Sequence, residues 1–205
     1  MSGVFISFEG GEGCGKSTQI ALLREYLEAQ GKVVVETREP GGTVIAERIR
    51  EVLLNPEHGA MGTEAELLLY AAARAQHVHE KIRPALEAGA VILCDRFADS
   101  TTAYQGAARG VAGEVLATLH KIATAGIWPD KTFLLDLDPV VGLDRARIRG
   151  TADRLESEKL EFHQAVRAGF LDIARAEPER VLVIDGAQEI DSIALEIQSA
   201  VEGLL

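Results

Sequence analysis

The stretch "FEGGEGCGKSTQ", residues 8 to 19, decides how the rest of the chain is read. Gly10, four intervening residues and then Gly15-Lys16-Ser17 satisfy the phosphate-loop spacing G-x-x-x-x-G-K-[ST]. That motif requires a strand before it and a helix after it, and both are indicated. "VFISF" (4 to 8) is a continuous apolar run, and beyond the loop Ile20, Leu23 and Leu27 recur at helical spacing. Glycines at 10, 11, 13 and 15 open backbone angles closed to other residues, so the N–H groups of Gly10, Gly11, Glu12, Gly13, Cys14 and Gly15 can turn inward around phosphates. The helix that begins near Lys16, Ser17 and Thr18 adds its N-terminal partial positive charge. Lys16 is then expected to bridge the outer phosphates of ATP and Ser17 to ligate Mg²⁺. Cys14 reads as a small side chain that fits the loop rather than as a redox switch.

Working outward, four further apolar runs follow: "VVVET" (33 to 37), "AVILC" (90 to 94), "TFLLDL" (132 to 137) and "VLVID" (181 to 185). Each reads as a strand buried on both faces, which points to a parallel sheet. Helical patterns lie between them, including a long Ala/Leu/Glu helix over 64 to 88 with a kink expected near Pro84. Alternating strand and helix predicts an α/β fold of three layers, a five-stranded parallel sheet flanked by helices, in a single domain over 1–205. The polar stretch "RGTADRLESE" (149 to 158) interrupts the rhythm and is expected to be a short lid.

Composition narrows the function. A net charge of -11 argues against a nucleic-acid binder, so an anionic ligand must meet a local concentration of Arg and Lys. No apolar run approaches the roughly 20 residues that span a bilayer, and a cytoplasmic protein without membrane partners is expected. Two cysteines and five histidines give neither a disulfide framework nor a metal cluster by their spacing.

In "CDRFADSTTAYQG" (94 to 106) Asp95 ends a strand and Arg96 follows at once, placing an acid able to orient Mg²⁺ or its waters beside a cation able to fork onto phosphate. Ser100, Thr101, Tyr104 and Gln105 cluster after the pair. Asp136 and Asp138 read instead as structural or helix-capping, because Pro139 opens a helix.

"FEGGEGCGKST", "TREPGGT" (37 to 43), "LLYAAARAQH" (68 to 77), "DRFADSTTAYQG" (95 to 106) and "RARIRGTADRLE" (145 to 156) together resemble thymidylate kinase of the bacterial type. The resemblance covers most of the chain and implies the nucleoside monophosphate kinase version of the phosphate-loop fold, with phosphoryl transfer from MgATP to dTMP in a homodimer. It implies catalytic roles for Lys16, Asp95 and Arg96, metal-binding roles for Ser17 and Asp95, and catalytic arginines in the lid at Arg149 and Arg154. Glu12 would approach the sugar 3'-hydroxyl, and Arg38, Glu39 and Pro40 the monophosphate. Tyr70 would stack on the base, Arg74 meet its O4 carbonyl, and Thr101 and Gln105 its edge. Tyr104 would crowd the 2' position, while Arg145 and Gln188 belong to a possible adenine pocket. A solvated, salt-bridged helix is the alternative for 145 to 158, and a deoxynucleoside kinase or a non-catalytic ATP-binding switch the alternative for the whole.

Overall fold

The computed structural model describes residues 3–149 and 153–205, the side chain of Arg149 excepted. Five strands, β1 (Val4–Glu9), β2 (Val34–Arg38), β3 (Val91–Asp95), β4 (Lys131–Asp136) and β5 (Val181–Asp185), form one parallel sheet in the order β2-β3-β1-β4-β5. In register, Phe8 of β1 stands beside Asp95 of β3 and Phe133 of β4, so β1 and β3 end within a residue of each other while β4 runs two residues further at the same edge. Strand order reverses around β1 at that carboxyl edge, where a sheet of this kind opens a crevice for ligands.

The alternation of side chains along β1 divides the core. Ile6 and Phe8 face α1 (Lys16–Ala29) and α9 (Ile190–Glu202), packing with Leu23, Leu27 and Ile197. Phe5 faces the opposite side, against Phe97 and Ile82. There α8 (Leu160–Ala176) adds Val166 and Phe170 beneath Tyr104, so helices cover both faces of the sheet.

Two expectations need adjusting. The sheet's outer strands are not buried on both faces, because each has only one neighbouring strand: in β2 only Thr37 is buried, and Val183 of β5 is 41% exposed. The long helix is also not kinked at Pro84 alone. α3 (Thr63–His77) passes through a π-helical segment, Val78–Ile82, into α4 (Arg83–Glu87), and the wide turn absorbs the N–H that Pro84 lacks. The other helices are α2 (Val44–Leu54), α5 (Ala98–Thr101) continuing in π form over Thr102–Ala108, α6 (Gly113–Thr124) and α7 (Pro139–Arg149). Asp138 caps α7 by accepting from Val140 N–H at 2.9 Å, and Asp136 holds Arg167 through two bonds of 2.6 and 2.7 Å, as the sequence suggested for this pair. Of the expected lid, residues 150–152 lie outside the described residues.

Candidate active site

A cleft of about 330 Å³ opens at the carboxyl edge of the sheet. One wall is the loop between β1 and α1. Gly10, Gly13 and Gly15 all take positive φ, which bends the loop back on itself, whereas Gly11 has no such φ and nothing near its missing side chain. Gly13 is fixed by a second demand, since a Cβ there would lie 2.1 Å from Gly142 O of α7. The contact is mutual: a Cβ on Gly142 would lie 2.2 Å from Glu12 O. Lys16 arches over the loop and donates to Gly11 O at 2.9 Å and Gly10 O at 3.3 Å. Glu12, Gly13, Cys14, Gly15, Lys16 and Ser17 line the cleft, while Gly10, Gly11 and Thr18 do not.

The turn after β3 forms the floor. Arg96 has φ 70, a left-handed conformation costing a non-glycine residue roughly 1–2 kcal/mol. Its neighbours hold it there: Arg96 N–H donates to Phe8 O (2.9 Å), the Cys94 thiol to Arg96 O (3.0 Å), and Phe97 N–H to Glu9 Oε1 (2.7 Å). The guanidinium thereby enters the cleft, where it donates to Gly10 O and Glu12 Oε1 at 2.8 Å each and to Ser100 Oγ at 3.3 Å. Tyr104 completes the cluster, its hydroxyl donating to the same Glu12 oxygen (2.8 Å) and its ring lying under Arg96.

Two acids three positions apart respond in opposite ways. Burial pushes the Glu9 carboxyl up to about 8, helped by the charge of Asp99 and opposed by Arg96, Ser100 and Phe97 N–H. Burial would also raise Glu12, but the adjacent Arg96, with Lys16 and the Tyr104 hydroxyl, brings it down to about 2. Beside them one oxygen of Asp95, Oδ1, is buried without a hydrogen-bond partner among the described residues. A buried carboxylate oxygen left bare in this way suits a hydrated divalent cation, so Asp95 and Ser17 fit the magnesium expected from the sequence.

The opposite end of the cleft is built around a buried arginine. Arg74 is 2% exposed and spends its donors on Glu39 (2.7 Å), Thr101 (3.0 Å) and Phe97 O (3.0 Å). The second oxygen of Glu39 accepts from His77 (2.9 Å), whose far nitrogen meets Thr37 (2.7 Å). Pro40 follows a cis peptide bond, and Arg38 pairs with Glu47 at 2.9 Å. Tyr70, Ser100 and Gln105 line the same space. Burial raises the Tyr70 phenol to beyond its ordinary range, so it presents a neutral ring.

Three more of the expected residues do not line this cleft. Arg154 does not line the cleft: it is buried against Glu66, which it meets at 2.6 Å, and donates to Leu53 O at 2.8 Å, because Glu66 gives a buried carboxylate within reach of this part of the lid segment. Arg145 lies over the loop at Gly13 with its guanidinium 3.5 Å from Gly186 O, and Gln188 is exposed nearby on the turn after β5. The side chain of Arg149 lies outside the described residues.

The sequence reading missed Arg50, which lines the cleft and donates to Pro40 O at 2.8 Å, and the backs of the pocket walls at Glu9, Glu66 and His77. Gly142 was missed too, although a glycine within a helical pattern is a recognisable sign of close packing.

Residues 8–197 match the family model described as thymidylate kinase. The chain is 52% identical to the thymidylate kinase of Symbiobacterium thermophilum over 98% of its own length and 94% of that protein's. It is likewise 52% identical to that of Deinococcus radiodurans, over 97% and 96%. The crystal structure of thymidylate kinase from Ehrlichia chaffeensis superposes with a TM-score of 0.81 at 34% identity, covering 98% of this chain and all of the other. A phosphate loop facing a buried arginine pocket across one cleft, and this likeness along nearly the full length, lead to one conclusion: the chain belongs to the thymidylate kinase family.

Proposed function

We propose that the chain transfers the terminal phosphoryl group of ATP to dTMP, giving dTDP and ADP on the route to dTTP. Family membership makes it a phosphotransferase. The observation that carries the finer reading is the single cleft, with Lys16 and Ser17 at one end, Tyr70, Arg74 and Gln105 at the other, and Arg96 between them.

The acceptor phosphate is itself the nucleophile. Its second pKa of about 6 leaves it largely dianionic near neutrality, so no strong general base is required. The barrier lies in bringing two polyanions together, which positive charge and positioning lower. Lys16 and Arg96 line the same cleft and would meet the donor and acceptor phosphates there, while Arg38 and Arg50, which also line it, would flank the acceptor side. Arg149 and Arg154 would add charge from the lid, Arg154 after leaving Glu66. Ser17 and Asp95 would hold Mg²⁺, which when bound would supply neutralisation of charge on the phosphate oxygens.

Tyr70 offers a face for the base, and Arg74, buried and clamped by Glu39, offers its guanidinium edge. Tyr104, tied to Glu12, crowds the place of a sugar 2'-hydroxyl. Arg145 and Gln188 would border the adenine. Leu68 of α3 and Ile122 of α6 are 57% and 67% exposed on packed neighbouring helices, an apolar surface that suits a homodimer.

The test is ADP release from MgATP across dTMP, dUMP, UMP, CMP, AMP, GMP and thymidine. Release selective for dTMP is expected. Release with thymidine and not with dTMP would overturn the reading and make Asp95 a candidate base.

A further inference from the structure

The turn that carries Arg96 is held from behind by an acid that takes no direct part in the cleft. Glu9 is the last residue of β1, fully buried, and alternation turns it to the side of Phe5, toward α5. Its Oε1 accepts from Phe97 N–H at 2.7 Å, the peptide that follows the left-handed Arg96. Its Oε2 accepts from Ser100 Oγ at 2.6 Å, and Ser100 Oγ in turn accepts from Arg96 Nη1 at 3.3 Å. One carboxyl group therefore secures both the backbone that exits the strained residue and the hydroxyl that meets its guanidinium.

We propose that Glu9 is a positioning residue for phosphoryl transfer, acting through Arg96. A buried carboxyl group is an expensive way to cap a turn, and an apolar residue would fill the space at less cost to burial. What the carboxyl group adds is direction. It accepts from two donors at once, and both hold Arg96: the Phe97 peptide keeps φ at 70 against relaxation, and the Ser100 hydroxyl keeps its lone pairs toward Nη1. With the turn relaxed to negative φ, the guanidinium would leave Gly10 O and Glu12, the contacts that set it at the mouth of the phosphate loop. The inference rests on the assignment of Arg96 to the transferring phosphate.

The test is a double-mutant cycle on kcat, measured per folded molecule with both substrates saturating. Glu9→Ala is expected to lower kcat by about tenfold to a hundredfold, since small misplacements of a catalytic group carry losses of that order, with the KM for ATP changed less than threefold. Glu9→Gln keeps an acceptor for Phe97 N–H and should recover part of the loss, and it is the variant to measure if Glu9→Ala does not fold. In an Arg96→Ala background neither change at position 9 should lower kcat further, because the group it positions is gone. Losses that multiply in the double variant would overturn the proposal, as would an unchanged kcat beside a shifted melting temperature. Should Arg96→Ala by itself retain full turnover, the assignment of Arg96 fails instead, a result separable from a failure at Glu9.

Discussion

The loop side and the lid side of the cleft each pair an arginine with a buried glutamate, and they do so to opposite effect. On the loop side Arg96 is pinned at its backbone and its guanidinium projects into the cleft toward Glu12. On the lid side Arg154 is pinned by its guanidinium, 2.6 Å from Glu66, and turned out of the cleft, while its neighbours Asp153 and Leu155 line it. Glu66 has further partners, for Gln105 donates to it at 2.8 Å and Arg109 bridges it to Glu158. On the proposed function, the loop side already stands in the arrangement that its chemistry would use, whereas Arg154 would have to exchange its ion pair with Glu66 for another before it could contribute. A preorganised charge costs no reorganisation at the moment of reaction, and a stored one does.

The largest effect should come from the loop side. Lys16→Ala removes the cation that spans the loop carbonyls, and kcat is expected to fall at least about a hundredfold with the fold retained, as seen by circular dichroism and turnover together. Near-normal turnover would remove the loop from the mechanism and erase the contrast. Next come the backbone contacts that shape the loop. Gly142→Ala would force a methyl to 2.2 Å from Glu12 O, so kcat/KM for ATP should fall by about tenfold or more, as expected when positioning is disturbed. Gly11→Ala meets nothing within 4 Å and should stay within about twofold of the parent enzyme by the same reasoning. Equal losses at the two positions would mean that the loop is shaped by something other than its close approach to α7.

The lid side should respond less in turnover and more in stability. Arg154→Ala is expected to lower kcat about tenfold with little change in the KM for dTMP, because on the proposed function its charge would count only after it leaves Glu66. It should also lower folding stability, by less than the roughly 3 kcal/mol of an orphaned buried pair, because Glu66 keeps Gln105 and Arg109 as partners. Stability lost with kcat unchanged would make Arg154 an anchor for the lid and leave catalysis to Arg96 and Arg149.

The same contrast explains what could be read in the sequence. The loop announces itself because its shape follows from neighbouring residues: glycines at fixed offsets, a strand before and a helix after. Asp95 and Arg96 were visible for the same reason, as an acid and a base at the end of an apolar run. All five strands were legible, though not the half-exposed faces of β2 and β5, since exposure depends on strand order rather than on the strand's own residues. Glu9, Glu66 and His77 escaped notice because a glutamate at a strand end or a histidine in a helix is ordinarily solvated, and only their distant partners Phe97, Arg154 and Thr37 make them structural. Arg154 was found, but not its position, since nothing near it in the chain indicates that Glu66 lies within 2.6 Å.

The smallest effect, and the one that separates the acids most finely, is the dependence of stability on pH. Glu12 is lowered to about 2 from an unfolded value near 4.5, so its contribution is complete above pH 4.5 and is lost as pH falls toward 2. Glu66 is lowered as well, against its burial, by Gln105, Arg154 and Arg109, and its contribution fades on the same acid side. Glu9 runs the other way. Its folded carboxyl keeps a proton up to about pH 8 while the unfolded one ionises near 4.5, so its penalty grows as pH rises between those values and is constant beyond them. Each group can change the slope by at most about 1.4 kcal/mol per pH unit. Urea unfolding from pH 3 to 9 should therefore show Glu9→Gln gaining on the parent through neutral pH, and Glu12→Gln and Glu66→Gln converging with it only below pH 4.5. If Glu9→Gln instead converges on the acid side, the Glu9 carboxyl is ionised in the folded protein, and Arg96 with the two donors outweighs burial at that position.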